Sequence, residues 1–265
     1  MRFLKIFPIL CLLCLFAKPV LGKDIVVISN KQQPRSEKEA LLILPGFGSK
    51  IHGSKHQRRY FSHKGYDLFI PDYISRKSVT ASVKNVDDFW QKHHLAEYKK
   101  VHVFGYIVGS WAINLWIQAH PEHNIATIIY DRSPLQERAP TVLLRDRPVL
   151  IKMLAGPIMK AFSQTPYPTL AKGDIRVGIL IESKATKLIR RHKKTTLSMG
   201  PVTWDLEQFR QESDDAIYTW LNHDQMYLRF DIIGSELFYF IEHGRFSESA
   251  KRQPYTEDPF TPFKA

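Results

Sequence analysis

Val101-His102-Val103-Phe104-Gly105-Tyr106-Ile107-Val108-Gly109-Ser110-Trp111 is the stretch on which the fold turns. Its opening is apolar and rich in valine, as a strand covered on both faces requires. Two glycines four positions apart then mark a tight turn, and Trp111, Leu115 and Trp116 follow with helical spacing. A buried strand that enters a helix through small residues is the repeating unit of a parallel sheet, because the helix carries the chain back to begin the next strand in the same direction. The same unit recurs on either side. Strands are predicted at 25–28, 40–44, 66–70, 101–104, 125–130, 175–181 and 216–221. One predicted helix starts at an N-cap, Ser54, and stops at Gly65. Another covers 82–98 with Val83, Val86, Trp90 and Leu95 on one face. The reading is a single α/β domain with a mostly parallel central sheet and helices on both faces.

Between 134 and 173 the pattern changes. Pro140, Pro148, Pro157, Pro166 and Pro168 punctuate apolar runs such as Val149-Leu150-Ile151 and Met153-Leu154-Ala155. Forty residues are too many for a plain loop in a compact domain, so the segment is predicted to form a helical cap inserted into the domain at 23–265.

The first 22 residues follow the order of a secretory signal peptide: Arg2 and Lys5, an apolar stretch from Ile6 to Ala17, and a small-residue exit at Val20-Leu21-Gly22. A secreted or periplasmic protein is expected, with an uncleaved N-terminal membrane anchor as the alternative. Cys11 and Cys14 both lie in that segment, which leaves the mature chain without a disulfide or a thiolate metal site. The formal charge is +12, and loss of Arg2, Lys5 and Lys18 leaves +9. Such a surface favours anionic partners, a membrane surface among them. No zinc-finger, helix-turn-helix or ribonucleoprotein signature accompanies the charge, so nucleic acid is not expected. Arg190-Arg191-His192-Lys193-Lys194 reads as a solvated basic face; Arg145, Arg147, Lys152 and Lys160 of the cap read first as solvated charges on an insertion, with contact to lipid head groups as the alternative. The histidine pairs His93-His94 and His120/His123 lack carboxylates or cysteines at ligand spacing, and neither a metal nor a cofactor is expected.

Gly105-Tyr106-Ile107-Val108-Gly109 resembles the nucleophile elbow G-x-S-x-G of the α/β-hydrolase superfamily, lipases and esterases included. The glycines match, and Ile107 falls on the serine position. Leu41-Leu42-Ile43-Leu44-Pro45-Gly46-Phe47-Gly48 resembles the strand and oxyanion loop of that family. The resemblance implies oxyanion donors at the backbone N–H groups of Phe47 and Val108. It also implies a strained conformation at residue 107, a cap that roofs the site, and a catalytic histidine after the last strand, here His223 in Trp220-Leu221-Asn222-His223-Asp224. The acid falls on Glu182, with Asp131 as the alternative; each also has a plain reading as a surface charge, Glu182 beside Lys184 and Asp131 beside Arg132. The likeness spans about 38–246.

Isoleucine has no atom that can attack a carbonyl, so covalent acyl transfer at residue 107 is excluded. The leading expectation is a catalytically impaired pseudo-hydrolase that binds an apolar or acyl-bearing ligand, a lipid or a protein partner. An active lipase- or esterase-like enzyme with Ser110 as displaced nucleophile, or with a His/acid dyad activating water, is the second reading. A non-enzymatic protein that works through its basic surface is the third.

Overall fold

The computed structural model describes residues 24–47, 50–171 and 173–262; side chains are described from Gly53 onward in the first helix. The expected signal segment lies outside the described residues.

Seven strands form one sheet in the order β1-β3-β2-β4-β5-β6-β7. They are β1 (Ile25–Val27), β2 (Glu39–Leu44), β3 (Asp67–Ile70), β4 (Lys100–Gly105), β5 (Ile125–Arg132), β6 (Arg176–Lys184) and β7 (Asp215–Asn222). β1 runs antiparallel to β3, and every other pair is parallel. Parallel strands need crossovers, and helices α1 (Lys50–Phe61), α2 (Val79–Lys92), α3 (Ile107–Ala119) and α10 (Phe230–His243) provide them or cover the sheet. One face packs Val103, Ile128 and Ile179 under Trp90 and Trp116, whose rings lie 4.3 Å apart. The other packs Phe104, Ile129 and Leu180 under Phe230, Leu237 and Phe240. Alternate residues of each strand thus feed opposite layers, which explains why the strands read as unbroken apolar runs.

Four helix boundaries depart from expectation, the first being the end of α1, which stops at Phe61 and not at Gly65. α1 begins at Lys50, so Ser54 lies inside it rather than at its cap. α2 is capped by Ser78, whose hydroxyl accepts from the Ala81 amide at 3.0 Å; Ser82 is buried in the first turn. That helix ends at Lys92, before Leu95, because the chain turns through a left-handed His94. Strands β5, β6 and β7 also run past their apolar runs to Arg132, Lys184 and Asn222. Their polar ends stay laddered, and this holds Asp131 and Glu182 on rigid strand termini.

The segment between β5 and β6 forms α4 (Ala139–Asp146), α5 (Pro148–Ala155) and α6 (Ile158–Gln164). Pro140 and Pro148 sit in first turns, where proline forfeits no helical hydrogen bond. α7 (Lys187–Arg191) and α8 (Lys193–Leu197) follow β6 and join this cap. The basic run expected to be wholly solvated takes part in that junction: His192 Nδ1 lies 2.5 Å from Asp146 on α4, and Thr195 donates to the same carboxylate at 2.9 Å. Leu143 and Met159 of the cap pack with Ala185 and Ile189 in a third apolar cluster.

Candidate functional site

The turn between β4 and α3 is built by close approach. A Cβ on Gly109 would lie 2.0 Å from the Leu44 carbonyl oxygen, and one on Gly105 would lie 2.7 Å from Ser110 Oγ and 2.9 Å from the Ser110 amide. Real Cβ atoms do not come so near backbone, so both positions require glycine. The Tyr106 amide donates to the Leu44 carbonyl at 3.1 Å and ties the turn to the end of β2.

Ile107 opens α3 and faces a cavity of about 430 Å³. The strained backbone implied for residue 107 is not there. Among the described residues other than glycine, positive φ occurs at His94 and Arg210. A β-branched residue in the left-handed region is a genuine outlier, and with isoleucine at the elbow the turn takes up ordinary backbone. Val108 also lines the cavity, and as the second residue of α3 its amide has no acceptor within the helix. Phe47 lines it too, edge-on to Phe162 with ring centroids 6.1 Å apart.

Ser110 is elsewhere. It is fully buried, and its hydroxyl donates to the Gly105 carbonyl at 2.7 Å. Backbone capture of this kind is usual for a serine in the first turn of a helix. Ser110, expected as an alternative nucleophile, is thus placed with its oxygen on the turn, and it is not among the residues that line the cavity.

β7 ends in Asn222, whose side chain and that of Gln225 cap the short helix α9 (His223–Met226) reciprocally. The capping box fixes the first helical residue, His223, which lines the cavity. Its Nδ1 lies 2.6 Å from Glu182 Oε1 and 3.2 Å from Asp131 Oδ2. The shorter contact, to Glu182, is a hydrogen bond, and the Asp131 carboxylate stands beside it within ion-pair distance. The chain thus brings both candidate acids to one histidine. Neither is a surface charge: both are fully buried, and Arg132 pairs with Glu137 instead of Asp131, between the rings of Tyr167 and Phe209.

Burial alone pulls the His223 pKa down, but the Glu182 charge and the close approach of Nδ1 to both carboxylates outweigh it and raise it well above the usual imidazole value. Glu182 is pushed well above the carboxylate range by burial and by the Asp131 charge, with His223 opposing. Two carboxylates this close cannot both ionise freely. Side-chain atoms of Asp131, Glu182 and His223 lie within 4.8 Å of one another, the arrangement of a small metal cage. A zinc ion would hold its ligand atoms roughly 3.3 Å apart at the usual bond lengths, whereas the 2.6 Å contact is a hydrogen bond. The set fits a proton better than a cation.

Two tyrosines frame the histidine and were not anticipated. Tyr106 and Tyr227 stack at 3.9 Å and 5°, and the His223 ring meets both edge-on. Tyr227 accepts the Gly46 amide at 2.8 Å, and Tyr106 donates to the Met226 carbonyl at 3.0 Å while accepting from Gln57 at 3.0 Å. The spacing of Tyr227 four residues after His223 was the available signal, since such pairs share a helical face. The cavity wall is completed by Trp111, Leu143, Met159, Phe162, Tyr167 and Leu188. Most of these come from the cap, whose positions carry no motif.

No protein-family model matches the chain, and no curated protein sequence matches it. Solved structures do. A structure from work on LipS and LipT, two metagenome-derived lipolytic enzymes, superposes with a TM-score of 0.52 at 11% identity, over 84% of this chain and 99% of that one. Est1E from Butyrivibrio proteoclasticus gives 0.50 at 10% identity, over 83% and 93%. The Vlm2 thioesterase domain gives 0.50 at 11% identity, over 84% and 98%. Identity this low speaks to architecture alone. Strand order, the glycine-bound elbow, the histidine after the last strand and these superpositions agree: the chain has the α/β-hydrolase fold.

Proposed function

We propose that this protein is exported and binds an acyl-bearing, largely apolar ligand in the cavity beneath its cap without hydrolysing it. The observation that carries the reading is Ile107 in the wall of the cavity that His223, Phe47 and Val108 also line. An attacking atom must come within about 3 to 3.5 Å of the substrate carbon, and a branched hydrocarbon occupies that approach. What the site retains suits binding. Leu143, Met159, Phe162 and Trp111 offer apolar surface for a chain. The helix N-terminus at Val108 and a protonated His223 favour a carbonyl or carboxylate oxygen. Export rests on the order of charge, apolar stretch and small residues in the first 22 positions.

Native mass spectrometry of protein purified without detergent, with displacement of a fluorescent fatty-acyl probe, tests the proposal. Stoichiometric probe binding that is lost in Leu143→Arg is expected. Ester turnover that survives purification, or a probe that ignores Leu143→Arg, would overturn it.

A further inference from the structure

The apolar runs of the cap were expected to pack inward, and those of α5 largely do not. Val149 is 72% exposed, Leu150 50%, Met153 62% and Leu154 46%. At 3.6 residues per turn these four positions span an arc of about 140° on one side of the helix. Ile151 and Ala155 occupy the other side and pack into the cluster with Leu143 and Met159. The exposed arc is therefore not a failure of the helix to dock; α5 is docked by one face and presents a second apolar face outward. Four large apolar side chains on one eight-residue helix form a cluster, which differs from the scattered exposure common on protein surfaces.

Cations surround it. Lys152 lies on α5 itself, Arg145 and Arg147 precede the helix, and Lys160 follows on α6; all four are exposed. Asp146, the acid in this stretch, is already engaged by His192 and Thr195. A second copy of the chain is a poor occupant, because a face that met itself would set these cations against their own duplicates. An apolar helix face with a basic border matches the boundary between acyl chains and anionic head groups. No helix among the described residues is long and apolar enough to cross a membrane, so contact would be from one side.

We infer that α5 is a docking helix for anionic phospholipid surfaces, with Val149, Leu150, Met153 and Leu154 entering the interface and Arg145, Arg147, Lys152 and Lys160 contacting head groups. Because α4 and α6 carry Leu143 and Met159 into the cavity wall, the docked surface would lie on the cavity's roof. The inference stands apart from what the cavity holds.

The test is flotation of the full mature chain with phosphatidylcholine vesicles and with vesicles that also contain phosphatidylglycerol. Binding to the anionic vesicles at least about tenfold tighter, weakening as salt is raised, is expected. Val149→Ser/Met153→Ser should lose about tenfold or more of that binding. Both positions are exposed, so its melting temperature and its acyl-probe affinity should match the parent. Met153→Trp should show a blue-shifted emission with anionic vesicles alone. Vesicle binding that the double variant does not change, or no binding to phosphatidylglycerol vesicles, would overturn the inference. A dimer that dissolves in the double variant would assign the face to a second copy instead.

Discussion

Restoring serine at residue 107 should not by itself restore a hydrolase, whereas restoring serine and removing Asp131 together should recover measurable reactivity. Two observations set the expectation. The elbow has relaxed: residue 107 opens α3 without positive φ, and returning a residue to a sparsely populated backbone region costs on the order of 1 to 3 kcal/mol. In addition, His223 faces two carboxylates, which raise its pKa well above the usual imidazole value and leave less of the neutral ring to take a serine proton. Asp131 Oδ2 lies 3.2 Å from Nδ1. At that separation one unit charge stabilises the imidazolium by about 1.3 kcal/mol with the dielectric of water and about 5 kcal/mol at an effective value of 20. The lower figure already corresponds to about tenfold in rate. Ile107→Ser and Ile107→Ser/Asp131→Asn are treated with a fluorophosphonate and with a short-chain nitrophenyl ester, and labelled sites are located by peptide mapping. The double variant should label at the introduced serine at least about tenfold faster than the single one, with the parent protein silent. Equal labelling of the two variants would refute the argument from Asp131. Labelling of the parent at Ser110 would refute the reading of the whole site.

The other expectations concern stability. The folded-state pKa of His223 is raised above its unfolded value, so its contribution is full below about pH 6.5 and is lost as pH rises through the folded value; Glu182, also raised, has the same sign. Melting temperature should fall as pH is raised above neutrality, and the slope should flatten in His223→Gln. Gly109→Ala places a methyl group 2.0 Å from the Leu44 carbonyl oxygen and should cost about 3 kcal/mol or more in urea unfolding, while Gly173→Ala, with open space at its Cβ, serves as the control. Asp67 holds the buried Lys38 ammonium at 2.6 Å and accepts from Tyr98 at 2.8 Å. Asp67→Ala strands that cation and should cost about 3 to 5 kcal/mol by the same assay.

The sequence alone carried the fold class, because strand and helix periodicities are local and the two glycines of the elbow encode a contact that admits no Cβ. Through the resemblance to the α/β-hydrolase motifs it also marked Ile107, Glu182, Asp131 and His223 as residues worth following. It left the choice between the two acids open, and only the tertiary structure shows why. Asp131 lies near the end of β5 and Glu182 near the end of β6, and these strands are neighbours in the sheet, so both carboxylates reach one imidazole. The sequence offered Ser110 as an alternative nucleophile, and where its hydroxyl goes is set by how near α3 approaches β4. The Tyr106–Tyr227 stack joins residues on separate elements far apart in the chain, beyond the reach of any local pattern. The outward face of α5 was hidden for the same reason. An apolar run records that a helix can be buried, but whether one face or two find partners depends on what the rest of the chain brings against it, and here Ile151 and Ala155 are covered while Val149 and Met153 are not.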